Sequence, residues 1–185
     1  MGDTAMAEPL EGKTVAMLAT DGVEQIELTH PWEELAAAGA RVELISIKPG
    51  SIDGYNHLEK ADSFKVDKTV SEVAVENFDA LVLPGGVANP DALRLDKDAV
   101  AMAARFVEDG KPVAAICHGA WLLVEADVIR GKTLTAFPSL KTDINNAGGR
   151  WVDEIVHYED GLITSRKPDD LDAFCGKLVE VLALT

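Results

Sequence analysis

Residues 112–126, PVAAICHGAWLLVEA, decide how this chain is read. Pro112 to Ile116 (PVAAI) form a short apolar run without polar alternation, as in a strand buried on both faces. His118 to Ala126 then take on helical character, so the turn between the two falls at Cys117. A nucleophile elbow needs small residues two before and two after its nucleophile, because the strand bends sharply into the helix. Ala115 and Gly119 meet that need. The expected result is an exposed Cys117 sulfur beside a helix N-terminus, where partial positive charge favours thiolate. A buried structural cysteine is the competing reading.

Outward from this stretch the same grammar repeats. Lys13 to Ala19 (KTVAMLA) reads as a buried strand broken by Asp21-Gly22. A helix over Glu24 to Ala38 follows, with Leu28, Trp32, Leu35 and Ala36 at helical spacing and Gly39 at its end. Arg41 to Ile47 is the next strand, which completes a βαβ unit and calls for a parallel sheet. Lys48 to Val75 is less regular, with turns at Pro49-Gly50 and Asp53-Gly54 and an edge strand over Ser63 to Val70. Ala80 to Leu83 is a buried strand stopped by Pro84-Gly85-Gly86. Asp96 caps a helix, and Thr133 to Ala136 is a further strand. Ile155 to Ser165 reads as a hairpin about Asp160-Gly161, and a last helix starts near Asp169. This alternation predicts an α/β doubly wound sheet with helices on both sides. Residues 1–12 read as a flexible leader and 13–185 as one domain.

The chain has 185 residues, a formal net charge of −15 and two cysteines. Such a charge repels phosphate backbones and anionic lipid, which argues against nucleic acid or membrane as partner. No apolar run is long enough to cross a bilayer, and the start lacks a signal peptide's pattern. Cys117 and Cys175 are too few for a disulfide scaffold, and neither they nor the four histidines show metal-ligand spacing. Both are expected to be thiols in a cytoplasmic setting, with no metal and no cofactor. Cys175 lies on the apolar stripe of the last helix and takes no role.

Ligands of open parallel sheets bind beyond the carboxyl ends of the strands. Three such ends carry distinctive residues: Asp21 to Glu24, Pro84 to Gly86, and Cys117 to Gly119. Gly85 and Gly86 can offer backbone N–H groups to an oxyanion, together with the N–H of His118. Glu24 is ambiguous: protonated it can donate to sulfur, whereas ionised it opposes a thiolate. His118 adjoins Cys117 in sequence, so a normal cysteine–histidine pair is not assured.

The chain resembles the ThiJ/PfpI superfamily, and most closely its branch of PfpI intracellular proteases and general stress proteins. The resemblance is carried by DGVEQIELTHP (21–31), FDALVLPGG (78–86), GKPVAAICHGAWLL (110–123), AGGRWVD (147–153) and SRKPDDL (165–171), in the family's order. It implies a flavodoxin-like three-layer sandwich related to class I glutamine amidotransferase domains. It also implies Cys117 as nucleophile, Glu24 as the acid touching its sulfur, His118 as catalytic histidine and Gly86 in the oxyanion hole. In the PfpI proteases a glutamate from a neighbouring subunit orients the histidine. Asp91, a shorter acid, stands at the matching place here, which implies a homo-oligomer, dimer or hexamer.

The family's activities include peptidase, glyoxal or methylglyoxal hydration and deglycation, all of which begin with thiolate attack on a carbonyl. The function expected is therefore a cysteine-dependent hydrolase of stress defence. The alternative is a redox-sensing or chaperone-like protein whose Cys117 is oxidised rather than turned over. A flavin protein fits poorly, because the first strand end lacks a Ser/Thr-rich phosphate loop.

Overall fold

In the computed structural model, which describes residues 7–185, the buried runs become the middle of one sheet. The first, β1 (Thr14–Leu18), is followed by the two-residue β2 (Val23–Glu24), α1 (Gln25–Ala37) and β3 (Arg41–Ser46). A hairpin of β4 (Ser51–Asn56) and β5 (Glu59–Lys65) leads to the short β6 (Lys68–Thr69) and then β7 (Ala80–Leu83). Next come α2 (Ala88–Leu93), α3 (Lys97–Glu108), β8 (Val113–Ile116), a 3-10 turn over Cys117–Ala120, and α4 (Trp121–Glu125). The chain closes with β9 (Thr133–Leu134), α5 (Lys141–Asn146), β10 (Arg150–Trp151), β11 (Val156–Glu159), β12 (Leu162–Ser165) and α6 (Leu171–Ala183).

The main sheet has the order β11-β12-β8-β7-β1-β3-β6. Its strand pairs are parallel except that of β11 with β12, the hairpin turning at Asp160-Gly161. From β1 the chain steps one way to β3 and later resumes on β1's other flank with β7. The reversal therefore lies between β1 and β7, where a crevice opens at the strand ends.

Residue alternation along the strands feeds two cores. Val15 and Met17 face α1 and α6, among Leu28, Leu35, Phe174 and Leu178. Ala16 and Leu18 face the other layer, among Ala103 and Phe106 of α3, Leu123 of α4 and Ile144 of α5. Strands with apolar residues on both faces are what a helix-covered sheet requires. Each fully buried Leu or Phe contributes about 2–3 kcal/mol in transfer free energy. The expected cap of α3 is present, with Asp96 Oδ1 accepting from the Ala99 N–H at 2.9 Å.

Four local expectations are corrected. The edge strand expected over 63–70 is divided: β5 joins β4 and β2 in a separate three-stranded sheet, and only β6 borders the main one. The strand expected over 133–136 shortens to β9 and pairs with β10 outside the main sheet. The helix expected from His118 begins as a 3-10 turn and becomes α-helical only at Trp121. Of the leader, residues 1–6 lie outside the described residues. Leu10, however, is fully buried, and its N–H donates to Ala38 O at 2.8 Å, so packing begins before residue 13.

Candidate active site

The bend at Cys117 is real. Its φ is +59°, in the left-handed region that non-glycine residues seldom occupy. The surroundings explain why small residues stand two before and two after it. A Cβ on Gly119 would strike Leu83 O and come within 3.0 Å of Pro84 O, and Ala115 is packed inside the sheet. Strain of this kind costs of order 1–3 kcal/mol and persists where packing over-determines it.

Cys117 lies on the floor of a cleft of about 870 Å³ that includes all three strand-end loops. Its walls are Asp21, Gly22 and Glu24 after β1, Gly86 to Ala88 and Asp91 after β7, and Phe137. Tyr55, His57 and Leu58 reach over from the β4–β5 hairpin. The expectation of an exposed sulfur is thus corrected: the residue is 8% exposed, reached only through the cleft.

The acid at the sulfur is not the one expected. Glu24 is the residue before α1, in extended conformation, and its carboxylate accepts from the His57 N–H at 3.1 Å on the cleft wall. Glu27, in the first turn of α1, points inward and is fully buried. Its carboxyl group faces the Cys117 thiol and the amides of Gly85 and Gly86. Neither oxygen has a well-formed hydrogen bond among the described residues. Burial, and secondarily the charge of Glu24, push Glu27 up to about 8, so it holds its proton at neutral pH.

The thiol is likewise pushed upward, first by burial and then by Glu27, against the downward pull of the His118 and Gly86 amides. A depressed thiol of the kind expected beside a helix N-terminus is not found. The turn that follows is 3-10 before the chain becomes α-helical at Trp121, and burial, with Glu27 beside the sulfur, outweighs the pull of its amides. Glu27 and Cys117 form one coupled acid pair, in which a second negative charge is costly.

His118 does pair with Cys117 despite their adjacency. Its Nδ1 lies 3.2 Å from Sγ, while Nε2 meets Ser139 Oγ at 3.2 Å. The ring stacks on Phe137, with centroids 4.7 Å apart, and meets the edge of Trp121. Burial lowers its pKa, which keeps the imidazole neutral. Asp91 stands at the cleft mouth and makes no hydrogen bond to His118. Gly86 has φ +81°, and a Cβ there would strike Gly22 O and lie 2.7 Å from Glu24 N. Its N–H is one of the two amides that face the sulfur.

Sequence reasoning does not single out Glu27, Ser139, Phe137 or Trp121. Only Glu27 leaves a signal there, on the stripe it shares with Pro31 and Leu35. Cys175 is buried on α6 in apolar surroundings, and burial pushes its thiol up to about 12. Among the described residues no group of three or more His, Cys, Asp or Glu could hold a metal ion. No helix there is long and apolar enough to cross a membrane.

Comparison with known proteins bears on this geometry. Residues 13–181 match the DJ-1/PfpI family. The chain is 44% identical over 173 residues to protein/nucleic acid deglycase 2 of Escherichia coli, covering 92% of this chain and 98% of that protein. It is 41% identical over 168 residues to deglycase PH1704 of Pyrococcus horikoshii, covering 91% and 98%. Its fold superposes on the crystal structure of Drosophila melanogaster DJ-1beta with a TM-score of 0.85 at 27% identity, covering 94% and 91%. With one family spanning the sheet, the elbow and the acid of α1 alike, this protein belongs to the DJ-1/PfpI family.

Proposed function

We propose that the protein is a cysteine-dependent hydrolase acting on small reactive carbonyls or their adducts, with Cys117 as nucleophile. One observation carries this reading: a strained elbow holds Cys117 Sγ at the floor of a cleft, with His118 Nδ1 at 3.2 Å and the buried carboxyl of Glu27 beside it.

The chemistry follows from these contacts. Neutral His118 takes the thiol proton at Nδ1, which makes Sγ nucleophilic only when substrate is in place. The sulfur lone pair forms a bond to the carbonyl carbon, and the carbon–oxygen π pair moves onto oxygen. The amides of Gly86 and His118 already face the sulfur, so an oxyanion formed there finds donors fixed in advance. Protonated Glu27 returns a proton to that oxygen, giving a neutral hemithioacetal with proton count conserved. Ser139 holds Nε2 and so keeps Nδ1 turned toward the thiol.

With Glu27 holding its proton, the acidic groups that line the cleft and carry charge are Asp21, Glu24 and Asp91. Neutral or cationic carbonyl compounds are therefore preferred over anionic ones. Assembly into a homo-oligomer belongs to this reading, with Asp91 reaching a neighbouring subunit. It is supported by Leu58 and Val87, exposed at 95% and 56% beside the cleft mouth. A cytoplasmic role in stress defence belongs to it too, supported by two cysteines that are both free. The redox-sensor alternative calls for an exposed, acidic thiol, whereas burial and Glu27 act in the opposite direction.

The deciding experiment follows methylglyoxal consumption and casein cleavage in parallel for the wild type, Cys117→Ser and Cys175→Ser. Loss of methylglyoxal turnover in Cys117→Ser with near-normal rates in Cys175→Ser is expected. Equal rates in all three proteins would end the proposal.

A further inference from the structure

Asn89 is completely buried, and every polar atom of its side chain is engaged. Its Oδ1 accepts from the Thr20 N–H at 2.8 Å, just beyond β1. Its Nδ2 donates to Pro84 O at 3.1 Å and to Gly85 O at 3.0 Å, in the loop that ends β7. A single amide thus ties together the two strand ends that flank the reversal of strand order.

The bond to Gly85 O bears on the chemistry. In a trans peptide the carbonyl of one residue and the N–H of the next point in opposite directions from one rigid plane. The Gly85–Gly86 peptide is held from its oxygen side by Asn89 Nδ2 and, at 3.3 Å, by the Glu24 N–H. Its other edge, the Gly86 N–H, is then directed at Cys117 Sγ and the Glu27 carboxyl. Glycines at both positions leave this plane free to rotate unless something outside holds it.

We infer that Asn89 is a positioning residue, which through the Gly85 carbonyl aims the Gly86 N–H at the sulfur and at the oxyanion formed there. This rests on the proposed role of Cys117 as nucleophile. Asn89 touches no substrate. Its effect passes through one peptide plane, and the same contacts to Pro84 and Thr20 keep that plane in register with the Glu24 side of the cleft.

The test uses the full-length protein in a Cys175→Ser background, with Asn89→Ala and Asn89→Asp compared to that parent. Asn89→Asp keeps an acceptor for Thr20 and loses the donor to Gly85, so it carries the test should Asn89→Ala fail to fold. Two quantities are measured: steady-state methylglyoxal turnover, and the rate of Cys117 alkylation by iodoacetamide from pH 7 to 10. The expected outcome is a kcat lower by about 10- to 100-fold with KM changed less than about twofold. Alkylation is expected to slow about tenfold at each pH, because the thiolate loses a hydrogen-bond donor.

A merely structural role predicts the opposite sign, since a loosened cleft exposes the sulfur and speeds alkylation. Faster alkylation, or kcat and alkylation both within about twofold of the parent, overturns the inference. Absence of turnover in the parent itself would instead count against the proposed function, and the alkylation rates would still decide the role of Asn89.

Discussion

Replacing Glu27 by Gln should make the protein more stable at pH 8 while impairing its chemistry. The carboxyl is fully buried, lacks a well-formed partner and ionises only near pH 8, against an ordinary value of 4.5. In the unfolded chain the same group is exposed and loses its proton near that lower value. Between the two values the folded state binds the extra proton, so stability falls as pH rises through this window. At about 1.4 kcal/mol for each step of one in pH between them, the full penalty is about 5 kcal/mol. At pH 5 little of it is felt, and at pH 8 most of it is. Glutamine is nearly isosteric and has no proton to lose, so the penalty vanishes in the variant. The stability gap between variant and wild type should therefore widen by roughly 3 kcal/mol from pH 5 to pH 8. With a urea slope near 2 kcal/mol/M, that is a displacement of the midpoint by roughly 1–2 M. Both proteins are unfolded in urea at pH 5 and pH 8 at one protein concentration, since assembly would otherwise add its own contribution. Other titrating groups are common to the two chains and cancel. Midpoints that move in parallel between the two pH values would refute the reasoning. So would a variant that retains wild-type turnover of methylglyoxal, because it has lost the proton donor.

Other expectations follow from the same contacts. Ser139→Ala frees His118 Nε2, and kcat for methylglyoxal should fall about 3- to 10-fold with an unchanged melting temperature. An unchanged kcat would remove Ser139 from the site. Gly86→Ala forces a Cβ onto the Gly22 carbonyl at a positive φ, so the melting temperature should drop by several degrees or more. Differential scanning calorimetry reads this directly. Glyoxylate, an anion, should be consumed at least tenfold less efficiently than methylglyoxal, and Glu24→Gln should narrow the gap. Equal kcat/KM values for the two substrates would show that the cleft carboxyls do not select.

Much of this protein is legible in its sequence because local patterns and global fold agree. Ala80 to Leu83 and Val113 to Ile116 are apolar at every position and occupy the middle of the sheet. Cys117 is legible because an elbow restricts its neighbours, and Gly119 packs against backbone that leaves no room for a Cβ. What escapes such a reading comes from distance. Tyr55, His57 and Leu58 wall the cleft, yet their segment pairs outside the main sheet and has no buried run to announce it. Phe137 and Ser139 reach His118 from a loop some twenty residues away, and short loops carry no period. Asn89 stands in a segment where only the acid, Asp91, draws notice.

The exchange of Glu24 for Glu27 has a sharper cause. Acidic residues are common in the first turn of a helix, where the macrodipole and water both favour them. Charge therefore cannot say which of two acids, three residues apart, turns inward. The start of the helix can. Had α1 begun before Glu24, that residue would have joined Leu28, Pro31 and Leu35 on the buried stripe. The helix begins at Gln25 instead, with Glu24 extended at ψ 114°, its N–H on Gly85 and its side chain on His57. Glu27 then takes the inward place, in line with Pro31 and Leu35. A carboxyl on that stripe has no water to solvate its charge, so burial keeps its proton in place, and that proton is the one the proposed chemistry draws on.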